Sequence, residues 1–126
     1  MNIQAIYHRP ESNYCFATDG KTIVLRIRFA KGEQICKLSV WYNTKYHIAQ
    51  QQFKQKMQLI ASDTQFDYYK ATLRLGDPRL AYLFYFEYDN KPYYFCEDGL
   101  VSTYNFNLAY FNSFQFAYIN DDDVIQ

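Results

Sequence analysis

Ile23-Val24-Leu25-Arg26-Ile27-Arg28-Phe29 is the stretch from which the fold can be read. Ile23, Leu25, Ile27 and Phe29 fall on one side of an extended chain, with Val24, Arg26 and Arg28 on the other. A period of two with one apolar side predicts a half-buried strand covering a core. Asp19-Gly20 before it and Lys31-Gly32 after it are turn signals. Outward from this strand the pattern recurs. Residues 34–42 predict a second strand, with Cys36, Leu38, Val40 and Tyr42 on one face and Ile35, Lys37, Ser39 and Trp41 on the other. Further strands are expected at 58–61, 66–75, 80–88, 92–96 and 114–119, separated by Gly76-Asp77-Pro78, Asp89-Asn90 and Glu97-Asp98-Gly99. Seven or eight short strands at this spacing predict an all-β fold, an antiparallel β-sandwich of immunoglobulin-like architecture. One domain is expected over residues 1–126.

Residues 43–57 interrupt the alternation. The run from Ala49 to Met57 lacks β-branched residues and predicts one or two helical turns inside a long excursion between strands. Long loops on rigid scaffolds often carry function. His8, in Ala5-Ile6-Tyr7-His8-Arg9-Pro10, is expected at the end of a first strand, making a structural hydrogen bond; His47, in the excursion, is expected to be exposed.

Composition narrows the chemistry. Thirteen basic and 13 acidic residues leave no net charge, and no basic stripe is present to neutralise phosphates, so nucleic acid is excluded as an expected partner. No apolar run approaches a membrane span, and none is expected. The start Met1-Asn2-Ile3-Gln4-Ala5 lacks the charged and apolar regions of an export signal. Cys15, Cys36 and Cys96 sit in apolar-rich stretches without metal spacing and predict three reduced, buried thiols. Together these point to the cytoplasm. No metal site and no cofactor are expected: two histidines without a Cys-x-x-Cys cannot assemble zinc ligands, and there is no Gly-rich phosphate loop. Most acids sit at turns; Glu87 and Asp67 lie inside strands without an acid partner in sequence, so no catalytic pair is assigned.

Rings are what the chain has in abundance. Fourteen tyrosines, 11 phenylalanines and one tryptophan far outnumber the two histidines, which favours packing and contact over acid–base chemistry. Trp41, on the polar side of its strand and followed by Tyr42 and Tyr46, is the natural platform on which a sugar ring could lie.

Several phrases, in this order, carry a family resemblance. They are Ala5-Ile6-Tyr7-His8-Arg9-Pro10, Leu25-Arg26-Ile27-Arg28, Lys31-Gly32-Glu33, Tyr42-Asn43-Thr44-Lys45-Tyr46, Ser62-Asp63-Thr64-Gln65-Phe66-Asp67-Tyr68-Tyr69 and Phe114-Gln115-Phe116-Ala117-Tyr118-Ile119-Asn120. The set resembles the N-terminal domain of neopullulanase, cyclomaltodextrinase and maltogenic amylase, a family-34 carbohydrate-binding module. The resemblance covers essentially the whole chain. It implies a β-sandwich ahead of an α-amylase-type (β/α)8 barrel, which needs roughly 250 residues of its own. The chain is therefore expected to be a domain excised from a larger glycoside hydrolase, with the catalytic acids and any barrel-associated calcium site elsewhere.

The resemblance also implies a role. In dimeric members the domain packs on the partner subunit and narrows its substrate cleft, favouring cyclodextrins and short maltooligosaccharides. The second tyrosine of the family's Tyr-x-Asp-x-Tyr pattern maps onto Tyr46. Asn43-Thr44 stands where relatives have a Gly/Ala-Asp pair, Trp41 where they have an aliphatic residue, and Cys15 where they have alanine. The expected partners are thus α-glucan oligosaccharides bound weakly, the catalytic barrel of the same chain and the other subunit of a homodimer. Trp41, Tyr42 and Tyr46 are the expected carbohydrate-binding or cleft-facing residues, and His47, Phe53 and Met57 the expected dimer contacts. An autonomous starch- or maltodextrin-binding module and an unrelated immunoglobulin-like interaction domain are the alternatives.

Overall fold

The structure, a computed structural model, describes residues 1–19, 21–44 and 47–113. It contains β1 (Cys15–Ala17), β2 (Thr22–Ala30), β3 (Cys36–Thr44), β4 (Phe53–Lys56), β5 (Gln58–Ser62), β6 (Phe66–Arg74), β7 (Arg79–Tyr88), β8 (Lys91–Cys96), β9 (Gly99–Val101) and β10 (Tyr110–Ser113). The strands form two antiparallel sheets. One has the order β1-β2-β6-β5; the other runs β4-β3-β7-β8-β9, with β10 pairing the first half of β7 where β8 pairs the second. The sheets face each other across a shared core, as the alternation in β2 predicts. Ile23, Leu25, Ile27 and Phe29 meet Val40, Leu80, Tyr82, Phe84 and Phe86, and the Phe29 and Phe86 rings touch edge to face at 5.2 Å. Ten strands are described against the expected seven or eight: β1, β4, β9 and β10 were not expected, and they span only three or four residues each, too few for a sequence period to register.

Turn chemistry closes the hairpins. Asp89 and Asn90 both have positive φ, at 55° and 63°, the two-residue turn that matches the twist of paired strands. Gly99, at φ 102°, supplies the αL position for the turn from β8 into β9.

Three expectations about local structure are corrected. The segment around Ala5–His8 is not a strand: a 3₁₀ turn at Ile3–Ala5 precedes a single bridge from Tyr7 to Arg28. The expected helical turns between Ala49 and Met57 give way to β4, which pairs Phe53 with Tyr42 and Lys56 with Ser39; the ladder along β3 outweighs a weak local propensity. Cys36 is exposed rather than buried, whereas Cys15 and Cys96 are buried and all three are free. A register shift between Cys36 and Ser39, with Lys37 at φ 55°, breaks the alternation there. The strand expected at 114–119 lies outside the described residues.

Met57 is the corner of the sandwich. It follows β4, on the edge of the larger sheet, and precedes β5, on the edge of the smaller one. Its N–H donates to Leu38 O at 3.0 Å, and its side chain is 4 % exposed within the core. It is thus unavailable as the surface contact expected from sequence.

A polar chain crosses the core. His8 Nδ1 donates to Arg26 O at 2.6 Å, because a carbonyl can only accept. Nε2 must then accept from the Tyr82 hydroxyl at 2.8 Å. Tyr82 also meets the Cys15 thiol, and Asn112 Nδ2 donates to Cys15 Sγ at 3.4 Å. His8 and Asn112 are the buried polar residues among those described. The structural hydrogen bond expected for His8 is present, and it fixes the N-terminal segment, β1, β2, β7 and β10 to one another.

Burial lowers the His8 pKa from 6.5 to about 4, partly opposed by the bond to Arg26 O. The folded-state value lies below the unfolded one. The stabilisation is therefore complete above the unfolded value and is lost as pH falls toward the folded one. Urea denaturation should show stability falling by about 2–3 kcal/mol between about pH 7.5 and about pH 4.5. A His8→Gln variant should show a clearly flatter dependence; an unchanged slope would remove His8 as its source. Met57→Ala should cost about 2–5 kcal/mol by the same measurement. Phe53→Ala, on the half-exposed edge, should cost clearly less.

Candidate functional site

The outer face of the larger sheet carries a cluster of rings. Trp41 on β3 stacks on Tyr85 of β7, with centroids 4.8 Å apart and planes at 22°. Tyr94 of β8 meets the indole edge-on at 5.5 Å, and Tyr104, beyond β9, lies at 5.8 Å. Register explains the assembly. Tyr85 pairs with Ser39 on one side and with Tyr94 on the other, so alternation sends these side chains outward together. Lys54, directly opposite Trp41 on β4, holds its ammonium 4.1 Å from the indole centroid. The indole Nε1 donates to Ser39 Oγ at 3.2 Å. The Tyr85 hydroxyl donates to Glu87 at 2.6 Å, which raises the phenol to about 12 and lowers the carboxyl; Lys37 adds an ion pair to Glu87 at 3.5 Å. The result is an apolar patch with charged tips.

The excursion from β3 to β4 is tied to this patch. Gln52 Nε2 donates to Ile48 O at 2.7 Å and to the Tyr104 hydroxyl at 2.9 Å, and Asn43 Nδ2 donates to Gln51 O at 2.7 Å. Ile48 is buried, as are Ala81 and Leu83 on the outer side of β7. A side-chain amide at each end thus anchors the loop to its own stem and to the ring cluster.

Trp41 and Tyr42 do not form one platform. Adjacent residues of a strand point to opposite faces. Tyr42 turns toward the other side of its sheet, where it meets Phe53 at 5.8 Å. These two rings line a cleft of about 220 Å³ at the end of the sandwich, together with Asn43, Arg74, Asp77 and Arg79. Asp77 accepts from Arg79 Nε and Nη2 at 3.0 and 2.8 Å, a fork that holds its carboxyl down at about 2. Phe53 is 49 % exposed. His47 is exposed, as expected, with Nδ1 2.6 Å from Thr44 Oγ1. Tyr46 lies outside the described residues. The expected site residues therefore divide among an outer patch (Trp41), an end cleft (Tyr42 and Phe53, with His47 on the loop beside it) and the core (Met57).

Sequence reasoning missed Tyr85, Tyr94, Tyr104 and Lys54. Tyr85 was within reach, since placing Phe84 and Phe86 inward sends it outward. Tyr94 and Tyr104 gave no such signal, because their approach to Trp41 depends on strand order. Among the described residues no group of three or more His, Cys, Asp or Glu side chains could hold a metal ion, and no helix is long and apolar enough to cross a membrane. His8 is committed on both ring nitrogens and cannot serve a nucleophile.

Residues 1–120 match the family described as alpha amylase, N-terminal ig-like domain. A maltogenic alpha-amylase of Bacillus acidopullulyticus is 29 % identical over 98 % of this chain and 21 % of its own length. An intracellular maltogenic amylase of Bacillus subtilis (strain 168) is also 29 % identical, over 100 % of this chain and 22 % of its own. The solved structure of a cyclomaltodextrinase superposes with a TM-score of 0.81 at 26 % identity, covering 100 % of this chain and 21 % of that one. The chain spans about a fifth of the length of the curated relatives it matches. With a two-sheet sandwich and a match along nearly its whole length, the chain belongs to the family of alpha-amylase N-terminal ig-like domains.

Proposed function

We propose that this is a non-catalytic domain of a longer, neopullulanase-like α-glucan hydrolase, which docks on the partner subunit of a homodimer and narrows that subunit's substrate cleft. The parent enzyme is then selective for cyclodextrins and short maltooligosaccharides. The observation that carries this is the end cleft. Tyr42 and the half-exposed Phe53 give it an apolar rim, Arg74, Asp77 and Arg79 a charged side, and His47 stands on the loop beside it. A rim of exposed rings next to fixed charges is the composition of a contact surface. The names of the relatives, maltogenic amylase and cyclomaltodextrinase, supply the substrate class. A cytoplasmic location accords with the three free thiols and with a relative named intracellular.

A second reading rests on the Trp41–Tyr85–Tyr94–Tyr104 patch. Flat rings with Lys54 and Glu87 at their margins suit the C–H face and the hydroxyls of a glucose unit. Such a module binds maltodextrins by itself, in the millimolar to high-micromolar range, from one or two ring contacts of about 0.5–1.5 kcal/mol each.

Both readings can be separated. In the full-length hydrolase, Phe53→Ser should weaken the dimer by about tenfold in sedimentation equilibrium, the effect of losing one well-placed apolar anchor. It should also raise activity on starch relative to β-cyclodextrin. If assembly and substrate preference both stay put, the docking role is wrong. For the patch, the fluorescence of the single tryptophan should change saturably with maltotriose or β-cyclodextrin, and Tyr85→Ala should weaken that response about fivefold or more. A flat titration of the folded chain rules out sugar at Trp41.

A further inference from the structure

We propose that the outer face of the four-stranded sheet carries a binding site for a compact oxyanion, a phosphate or carboxylate group, centred on Arg26. This goes beyond the glucan and dimer roles, since it uses the opposite sheet and none of their residues.

Arg26 on β2 and Lys70 on β6 stand directly opposite each other in the antiparallel register. Both point outward, because Leu25, Ile27 and Ala71 beside them fill the core. Like charges directly opposite in a ladder repel. Arg28 lies two positions along the same face, packed 3.9 Å over the Phe66 ring. Arg26, Arg28 and Lys70 thus stand together on this face, with Arg74 farther along it opposite Thr22. The ion pairs among the described residues, Lys37–Glu87 and Arg79–Asp77, belong to the other sheet and involve none of them. The neighbouring acids of this sheet are already engaged: Asp63 accepts from the Gln65 and Phe66 N–H groups and the Tyr68 hydroxyl, and Asp67 from the Ser62 hydroxyl and the Gly32 N–H.

The Arg26 guanidinium is only half engaged. Nη1 donates to Asn13 O at 3.2 Å, and the group lies 5.3 Å over the Phe16 ring. Nε is shut off from solvent without an acceptor, a costly state for a charged donor. Beside it a cleft of about 170 Å³ is lined by Asn13, Tyr14, Arg26, Ile60 and Tyr68. Two oxygens on one atom match a guanidinium edge through parallel N–H···O bonds. An oxyanion seated there answers Nε together with Nη2, and its charge offsets the Arg26–Lys70 repulsion. Reaching Nε requires a wall side chain to swing aside. Ile60, 45 % exposed on the edge strand β5, is placed to do so.

The test is a titration of the full chain with inorganic phosphate, followed by ³¹P line broadening, with chloride holding ionic strength constant. Saturation in the millimolar range is expected. Arg26→Gln should weaken binding about tenfold or more, as should Arg26→Lys, which keeps the charge but loses the fork. Lys70→Gln should weaken it severalfold and also raise the phosphate-free Tm by relieving the like-charge pair. Competition by acetate extends the site to carboxylates; phosphate binding without such competition restricts it to phosphate. Absence of saturation overturns the proposal, and so does binding that Arg26→Lys and Lys70→Gln leave unchanged.

Discussion

The hydrogen bonds of His8 inside the sandwich are the constraint on which the rest of the structure depends. A ring buried with both nitrogens occupied must stay neutral, must take one tautomer and must find its two partners at fixed positions. Those partners are a backbone carbonyl of one sheet and a hydroxyl of the other. The bond to Tyr82 therefore sets how the sheets sit on one another at this end of the core. Aromatic packing follows from it: the imidazole meets the rings of Tyr82, Phe84 and Tyr110 at 5.4, 4.6 and 4.9 Å, each at a steep angle. Apolar burial supplies most of the stability, but it is non-directional. The polar chain supplies direction.

The second organising feature is the passage of the chain from one sheet to the other at Met57. Strands β4 and β5 flank it and form one open edge of the sandwich, with Phe53, Leu59 and Ile60 exposed along it. An edge of this kind is usually blunted or covered. Here Lys54 and Lys56 blunt one half, and a register shift between Leu59 and Ala61 interrupts the other. Of what remains apolar, Phe53 stands beside the end cleft and Ile60 beside the cleft next to Arg26. The core residue and the surface residues of this ten-residue stretch thus have separate tasks. Met57 holds the corner, and Phe53 faces outward.

Much of the fold was legible in the sequence because burial in a sandwich imposes a period of two, and a period of two survives in a single sequence. β2, β6, β7 and β8 were read within a residue or two of their observed bounds. The inward positions of β7, from Leu80 to Phe86, were read as observed. Failures occurred where a different constraint decided the outcome. At Cys36 a bulge reset the alternation. At β4 a neighbouring strand recruited residues whose own preference was helical or neutral. At Ile3–His8 side-chain and bridge bonds held a segment that has no ladder of its own.

The candidate sites were legible only in part, for a related reason. The sequence by itself determined that Trp41 faces outward, that His8 is a structural residue and that rings rather than ionisable groups dominate the chemistry. It also carried the family resemblance. The tertiary structure alone decided which rings meet. Tyr85, Tyr94 and Tyr104 are brought to Trp41 by the order β3-β7-β8-β9 and by the loop that follows, and strand order is a property of the whole chain. Only the structure could separate Trp41 from Tyr42, bury Met57, or set Arg26 opposite Lys70. Local alternation says which face a side chain takes. Which distant residues share that face depends on register and topology, which arise from many contacts acting together.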